Sequence, residues 1–169
     1  MPGGQKKIWL AWKETRLTCQ PLIEIGLKME IEEFESTIDH VLMNTKTIAV
    51  VGLSRRQSRA GYYVPAYLQQ QGYRIIPVNP YLDKALGETA YAELAMIPDE
   101  VDLVLLFQRS EKVPPFVDQA IEIGAKAVWM QLGIYNEEAA SAAQAAGLEV
   151  VMDACMLVEH RRWKSFRNN

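Results

Sequence analysis

The stretch "AVVGLSRRQSRAGYY", residues 49–63, holds the densest chemistry in the chain. An apolar run ends at Gly52 and is followed by Leu53, Ser54, Arg55, Arg56, Ser58 and Arg59. The residues after these are able to start a helix. Backbone N–H groups around a glycine, two hydroxyls, three guanidiniums and the positive end of a helix dipole together suit an anion, above all a phosphate. Neither familiar phosphate motif is present. Ser54 and Gln57 stand where a dinucleotide fingerprint puts its second and third glycines, and the lysine-serine ending of a P-loop is missing. A solvated turn with surface arginines is the bland alternative; its place directly after a strand favours the anion site.

Two further strand ends add to this. "VNPYLDK" puts Asn79 and Pro80 where an NAD site wants an acid for its ribose hydroxyls. Lys84 nearby suits a phosphate, so a ligand with an extra ribose phosphate, such as CoA or NADP, fits better than NAD. A plain Asn-Pro turn is the alternative. "FQRSEKVPP" offers Phe107 as a flat cover, Arg109 for a phosphate, and Val113 with Pro114 as a wall. An exposed loop with a helix cap at Ser110 is the other reading.

Catalytic groups are few. The two histidines, His40 and His160, form no metal-ligand spacing with Cys155, and no nucleophile–base pair or serine elbow can be read. Cys155 follows Asp153 at a strand end, which places a thiol near the crevice, although a cysteine there is more often a small apolar core residue. The expectation is a binding site without an evident reaction.

These loops need a scaffold that brings strand ends together. Short apolar runs at 47–52, 73–79, 101–107, 125–131 and 148–153 read as strands, and they alternate with helical stretches. The helix after Gly52 is expected over 62–71, with Gly72 closing it and Pro65 near its first turn or bending it. A short segment lies near Thr89–Tyr91, and a final helical turn passes through Leu157 and Arg161. Continuous Val/Ile/Leu runs mean strands covered on both faces. The expected fold is α/β, a Rossmann-like, doubly wound, mainly parallel sheet flanked by helices. Ligands in such sheets bind beyond the carboxyl ends of the strands, which makes 52–61, 79–87, 107–113, 131–135 and 153–159 the candidate segments.

Upstream, "MEIEEFESTIDHVLMN" forms one helical stripe through Ile31, Phe34, Ile38, Val41 and Leu42, with acids in its first turns and Asn44 at its end. Residues 1–28 show no sustained period and are taken as an N-terminal extension, with the ligand-binding domain at 29–169. The extension is either a flexible tail or packed through Ile8, Trp9, Leu10 and Trp12; Met29 is an alternative start.

The bulk composition excludes several classes. At 49% hydrophobic and 23% charged, the 169 residues are an ordinary soluble globule of one domain. A net charge of −3 argues against nucleic acid. No apolar run approaches a membrane span, and Lys13, Glu14 and Arg16 interrupt the N-terminal apolar stretch too early for a signal peptide. Two cysteines make no disulfide framework, so the expected location is cytoplasmic.

The blocks "VVGLS…SRAGYYVPAYLQQQGYRIIPVNP", "VDLVLLFQRSEKVP", "AKAVWMQLGIYNEEAA" and "AAGLEVVMDACMLVEHRR" resemble the stand-alone CoA-binding domain proteins, which are similar to the N-terminal domain of the succinyl-CoA synthetase alpha subunit. The resemblance runs from about Ile38 to Trp163. It implies a Rossmann-like fold that binds coenzyme A or an acyl-CoA. By position it implies a phosphate loop at Gly52, Leu53 and Ser54 with Arg59 as its arginine, and Asn79 and Pro80 at the second strand end. It further implies a nucleotide-lining segment at Phe107, Gln108 and Arg109, and Gln131 with Gly133 at the next strand end. Gly61 stands where relatives often have serine and Gln108 where they often have arginine, which removes a hydroxyl and a charge. The synthetase's phosphorylated histidine and its ATP-holding partner subunit have no counterpart here, so the chain is expected to be non-catalytic or to act for a protein partner or as a homo-oligomer. An NADP-dependent oxidoreductase and a ligand-free interaction module remain as alternatives.

Overall fold

The computed structural model describes residues 24–167. Helix α1 spans Glu24–Asn44 and leads into strand β1, Thr47–Val51. Helix α2 (Ala60–Gln70), strand β2 (Arg74–Val78) and a small antiparallel hairpin of β3 (Lys84–Ala85) and β4 (Glu88–Thr89) follow. The rest alternates: β5 (Leu103–Leu106), α3 (Pro114–Glu122), β6 (Ala127–Met130), α4 (Glu137–Ala145), β7 (Glu149–Val151) and α5 (Met156–Arg167). The sheet order is β2-β1-β5-β6-β7, and every pairing in it is parallel. Counting only the strands of this sheet, that is the order 2-1-3-4-5, whose reversal falls between β1 and β5.

The apolar runs form strands because both faces of each are buried. Ile48, Val50, Leu103, Leu105 and Trp129 face α1, α2 and α5, packing with Leu42, Leu68 and Met156. Ala49, Val51, Val104, Leu106 and Met130 point the other way, onto Val117 of α3 and Ala139, Ala140 and Ala143 of α4. The alanine-rich face of α4 lets that helix lie close to the sheet. Asn136 caps it by accepting the Ala139 N–H at 2.9 Å, with Glu137 and Glu138 in its first turn.

At the opposite end of the sheet from the strand-end loops, Asp102 sets the register. Its carboxylate accepts the Lys46 and Thr47 N–H groups, each at 2.9 Å, and pairs with Lys126 Nζ at 2.6 Å. Its backbone carbonyl accepts the Lys126 and Ala127 N–H groups. Burial alone would raise this carboxyl's pKa, but the bonds from Lys126, Thr47 and Lys46 outweigh burial and hold it below 3.8. A depressed pKa makes the contribution full above about pH 4, the unfolded value, and lost as pH falls through the folded one. Asp102→Ala is therefore expected to cost about 1–3 kcal/mol at pH 7. In thermal melts the gap between the variant and the parent should narrow below about pH 4. A gap that stays constant to pH 2 would show that the carboxylate's charge is irrelevant there.

Several boundaries differ from the sequence expectation. Helix α1 starts at Glu24, ahead of the regular stripe that begins at Met29, and α5 runs for three turns where only one turn was expected. Tyr73 fastens the end of α1, its hydroxyl donating to the Leu42 carbonyl at 3.1 Å, and burial pushes its pKa up to about 12. His160 is a core residue held between Tyr67, Tyr73 and Trp163, and its Nδ1 lies 3.0 Å from the Tyr67 hydroxyl. Burial pushes its pKa down, so the ring is a neutral packing element. His40 sits at the surface, 2.7 Å from Glu149. Among the described residues no helix is long and apolar enough to cross a membrane. Residues 1–23, with Trp9, Trp12 and Cys19, lie outside the described residues.

Candidate functional site

The loop after β1 closes on itself through a proline. Helix α2 begins at Ala60, two residues before the sequence expectation, so Arg59 is its N-cap. Pro65 lies inside the helix and has no N–H to give the carbonyl four residues back, that of Gly61. The Gly61 carbonyl instead accepts the N–H of Ser54 at 3.0 Å. The missing helical bond is thus what ties the loop to the helix start.

Two glycines make the turn fit. Gly52 has φ +84°, and a Cβ there would lie 2.7 Å from the Phe107 carbonyl oxygen and 3.0 Å from Gln108 Nε2. Gly61 faces the Gly52 carbonyl, with room for a Cβ only at 3.1 Å, and the Phe107 ring packs below it. A serine at 61 would need that contact to give slightly. The loop after β1 and the loop after β5 are therefore in direct contact, at the point where the strand order reverses.

Between them lies a cleft of about 420 Å³. Of the sequence-expected residues, Gly52, Ser54, Arg59, Phe107, Gln108, Arg109 and Gln131 line it. Ala60, Gly61, Leu132 and Ile134 complete the lining and were not singled out as ligand contacts. No carboxylate, imidazole or thiol lines the cleft among the described residues. Helix α2 opens on it without a side-chain cap and with no acid in its first turn, unlike α4. The N–H groups of Ala60 and Gly61 have no intrahelical acceptor, as at any helix start.

The charge is placed to match. Among the described arginines, Arg74 pairs with Asp99, Arg162 with Glu35, Arg161 stacks on Tyr67 and Arg167 on Trp163. Arg55, Arg56, Arg59 and Arg109 have no such partner in a carboxylate or ring, and all four stand on the two loops flanking the cleft. All four are exposed. The Ser54 hydroxyl accepts the Arg56 N–H at 3.1 Å and keeps its own proton to donate.

The remaining expected residues serve elsewhere. Leu53 and Val113 are fully buried in the two cores, so Val113 does not wall the crevice. Their side chains are apolar and point inward under the loops. Asn79 is engaged at both ends: Nδ2 donates to the Leu53 carbonyl at 2.9 Å and Oδ1 accepts the Tyr81 N–H at 3.0 Å. It braces the loop after β1 from the neighbouring strand. Pro80 and Lys84 are exposed beyond β2, outside the cleft lining. Gly133 has φ +84° and gives its N–H to Asp153 at 2.6 Å. Ser110 caps no helix; its hydroxyl accepts the Tyr135 N–H at 2.9 Å, and its carbonyl the Asn136 amide at 3.0 Å.

Gln131 lines the cleft but is buried, and its side chain is already committed. Oε1 accepts the Met156 N–H at 3.1 Å, at the start of α5, and Nε2 donates to Cys155 Sγ at 3.5 Å. Cys155 is half-buried against the α1/α2/α5 core and is not part of the cleft lining.

Comparison with known proteins gives the family. Residues 46–161 match the CoA binding domain family. The chain is 41% identical over 126 residues to the uncharacterized protein YneT of Bacillus subtilis, covering 75% of this chain and 93% of YneT. It is 31% identical over 119 residues to acetate–CoA ligase [ADP-forming] II of Archaeoglobus fulgidus, covering 68% of this chain but only 18% of that ligase. Among solved structures, a hypothetical protein from Pyrococcus horikoshii OT3 superposes with TM-score 0.75 at 35% identity, covering 88% of this chain and 99% of that one. A matched span that contains every strand of the five-stranded sheet and a relative covered over 93% of its length lead to one conclusion: the chain belongs to the CoA-binding domain family.

Proposed function

We infer that the chain binds coenzyme A or an acyl-CoA in the cleft between the loops after β1 and β5, as a binding protein and not as an enzyme acting alone. The observation that carries this reading is the set of unpartnered arginines around an uncapped helix start. Four guanidiniums without carboxylates repel one another, and an oligophosphate is the kind of ligand that relieves this. In this reading Arg59 and the N–H groups opening α2 hold a phosphate, with Ser54 donating its hydroxyl. Arg109 serves a second phosphate oxygen, while Phe107, Leu132 and Ile134 give the apolar arm a wall. Lys84, exposed on β3 beyond the second strand end, is the cation available for the ribose phosphate, while Asn79 serves by bracing the loop after β1.

The polar groups that the lining does offer, Ser54, Arg59, Gln108 and Arg109, support the holding of an anion. The engaged carboxamide of Asn79 also supports CoA over NAD. It stands where NAD needs a free acid, and both its polar atoms are spent on the backbone.

A thermal-shift panel of CoA, NADP, NAD and ATP separates the readings. A ligand at a hundred times its Kd stabilises by about 2.7 kcal/mol, which is roughly 5–10 °C for a chain of this size. CoA is expected to give the largest shift. A larger shift with NADP would favour the oxidoreductase, and no shift with any of the four would favour an interaction module.

A further inference from the structure

Strand β6 ends at Met130, and the chain reverses in a turn closed by the Ile134 N–H, which donates to the Gln131 carbonyl at 2.8 Å. Gly133 takes the third position of this turn with φ +84°, a conformation that suits glycine. Leu132 is left at the corner. It lines the cleft, yet it is 59% exposed and belongs to neither buried core. Packing therefore does little to place this leucine. Its position depends on the bonds that hold the turn.

Those bonds converge on the loop after β7. The Gly133 N–H donates to the Asp153 carboxylate at 2.6 Å, and the Asp153 N–H donates to the Ile134 carbonyl at 3.2 Å. Gln131 is tied to the same loop, its Oε1 accepting the Met156 N–H at 3.1 Å. Asp153 thus grips the turn with both side chain and main chain, without lining the cleft itself. It does so from a left-handed backbone, at φ +53°. That region is unfavourable for any residue with a Cβ. Glycine would suit the backbone better, but it would offer the Gly133 N–H no acceptor.

We propose that Asp153 is a positioning residue for ligand binding: through its bond to Gly133 it fixes the turn that sets Leu132 against the apolar, non-nucleotide arm of the ligand. The proposal rests on the coenzyme A reading of the cleft and adds to it a residue that never touches the ligand. In that reading Arg59 and the start of α2 serve the phosphates, so the two ends of the ligand answer to different residues. Loss of the Asp153 carboxylate should reach one end and spare the other.

Calorimetric titration of the full chain with CoA and with 3′-phospho-ADP, the nucleotide half of CoA without its arm, reads the two ends separately. Asp153→Gly suits the backbone and removes the acceptor. It is expected to weaken CoA about five- to tenfold and to leave 3′-phospho-ADP within about twofold of the parent. Asp153→Asn keeps an acceptor oxygen and tolerates the left-handed conformation, so it should hold CoA within about twofold of the parent. In a Leu132→Ser background Asp153→Gly should weaken CoA no further, because Leu132 is the residue Asp153 acts through. Without ligand, the Gly133 amide of Asp153→Gly should exchange about tenfold faster, with the amides of β6 and β7 unchanged. The proposal is overturned if Asp153→Gly binds CoA as the parent does, or if Gly133 exchange does not move. It is also overturned if both ligands weaken equally, which would mark a general structural role. A parent chain that binds neither ligand is a separate result: it refutes the coenzyme A reading, and this role with it.

Discussion

Arg59→Ala is expected to weaken coenzyme A binding ten- to a hundredfold. Arg59 is the N-cap of α2, lines the cleft and has no carboxylate or ring partner. In the proposed reading its charge and the helix dipole act on the same phosphate. A charge-assisted hydrogen bond of this kind is worth about 1.5–3 kcal/mol, and about 1.4 kcal/mol is tenfold in Kd. Arg55→Ala should cost much less, about 1 kcal/mol or below, because Arg55 is an exposed rim charge outside the cleft lining. Arg59→Lys should recover only part of the loss, since an ammonium lacks the planar fork. Melting temperatures without ligand should barely move in any of the three. Normal binding by Arg59→Ala, or failure of Arg55→Ala alone, would mean that the phosphate sits elsewhere on the loop.

Gly52→Ala is expected to damage both fold and site. The residue has φ +84°, where a side chain costs roughly 1–2 kcal/mol. A Cβ there also meets the Phe107 carbonyl oxygen at 2.7 Å, and that backbone cannot retreat freely because the Phe107 N–H is bound to the Val51 carbonyl at 2.9 Å. Forcing the two loops apart should add about 1–3 kcal/mol. The sum of about 2–5 kcal/mol corresponds to a melting temperature lower by roughly 5–15 °C. CoA affinity should fall with it, because the same loops form the cleft walls. Gly147→Ala is the control: φ is +88° but nothing lies within 4 Å of the added Cβ. It should lose only the conformational part, about 1–2 kcal/mol. Equal melting of the two variants would show that the close approach at Gly52 carries no cost.

The sheet was legible because its strands are buried on both faces, which writes continuous apolar runs into the sequence. Gly52 and Arg59 were legible for a related reason: each marks the end of one element and the start of the next. The residue bonds that hold the loops were not. Nothing in the type or spacing of Pro65 announces that the Gly61 carbonyl it frees will take the Ser54 N–H. Asp102 looked like an ordinary polar residue beside a strand, and Gln131 stood out only through the resemblance, as a strand-end site residue. Their work is to satisfy backbone N–H groups contributed by distant parts of the chain, a property of tertiary contact. Val113 was misplaced as a crevice wall because an apolar residue beside a loop suits either a wall or a core, and only packing decides. Leu132 and Ile134 lie in a strand-end segment expected to matter, yet apolar side chains there carry no chemical signature of their own.

The most direct measurement is calorimetric titration of the full chain with CoA and with NAD in the same buffer and salt. CoA is expected to bind at least tenfold more tightly, a difference of about 1.4 kcal/mol or more. Equal affinities, or tighter binding of NAD, would contradict a cleft built for the phosphates of coenzyme A.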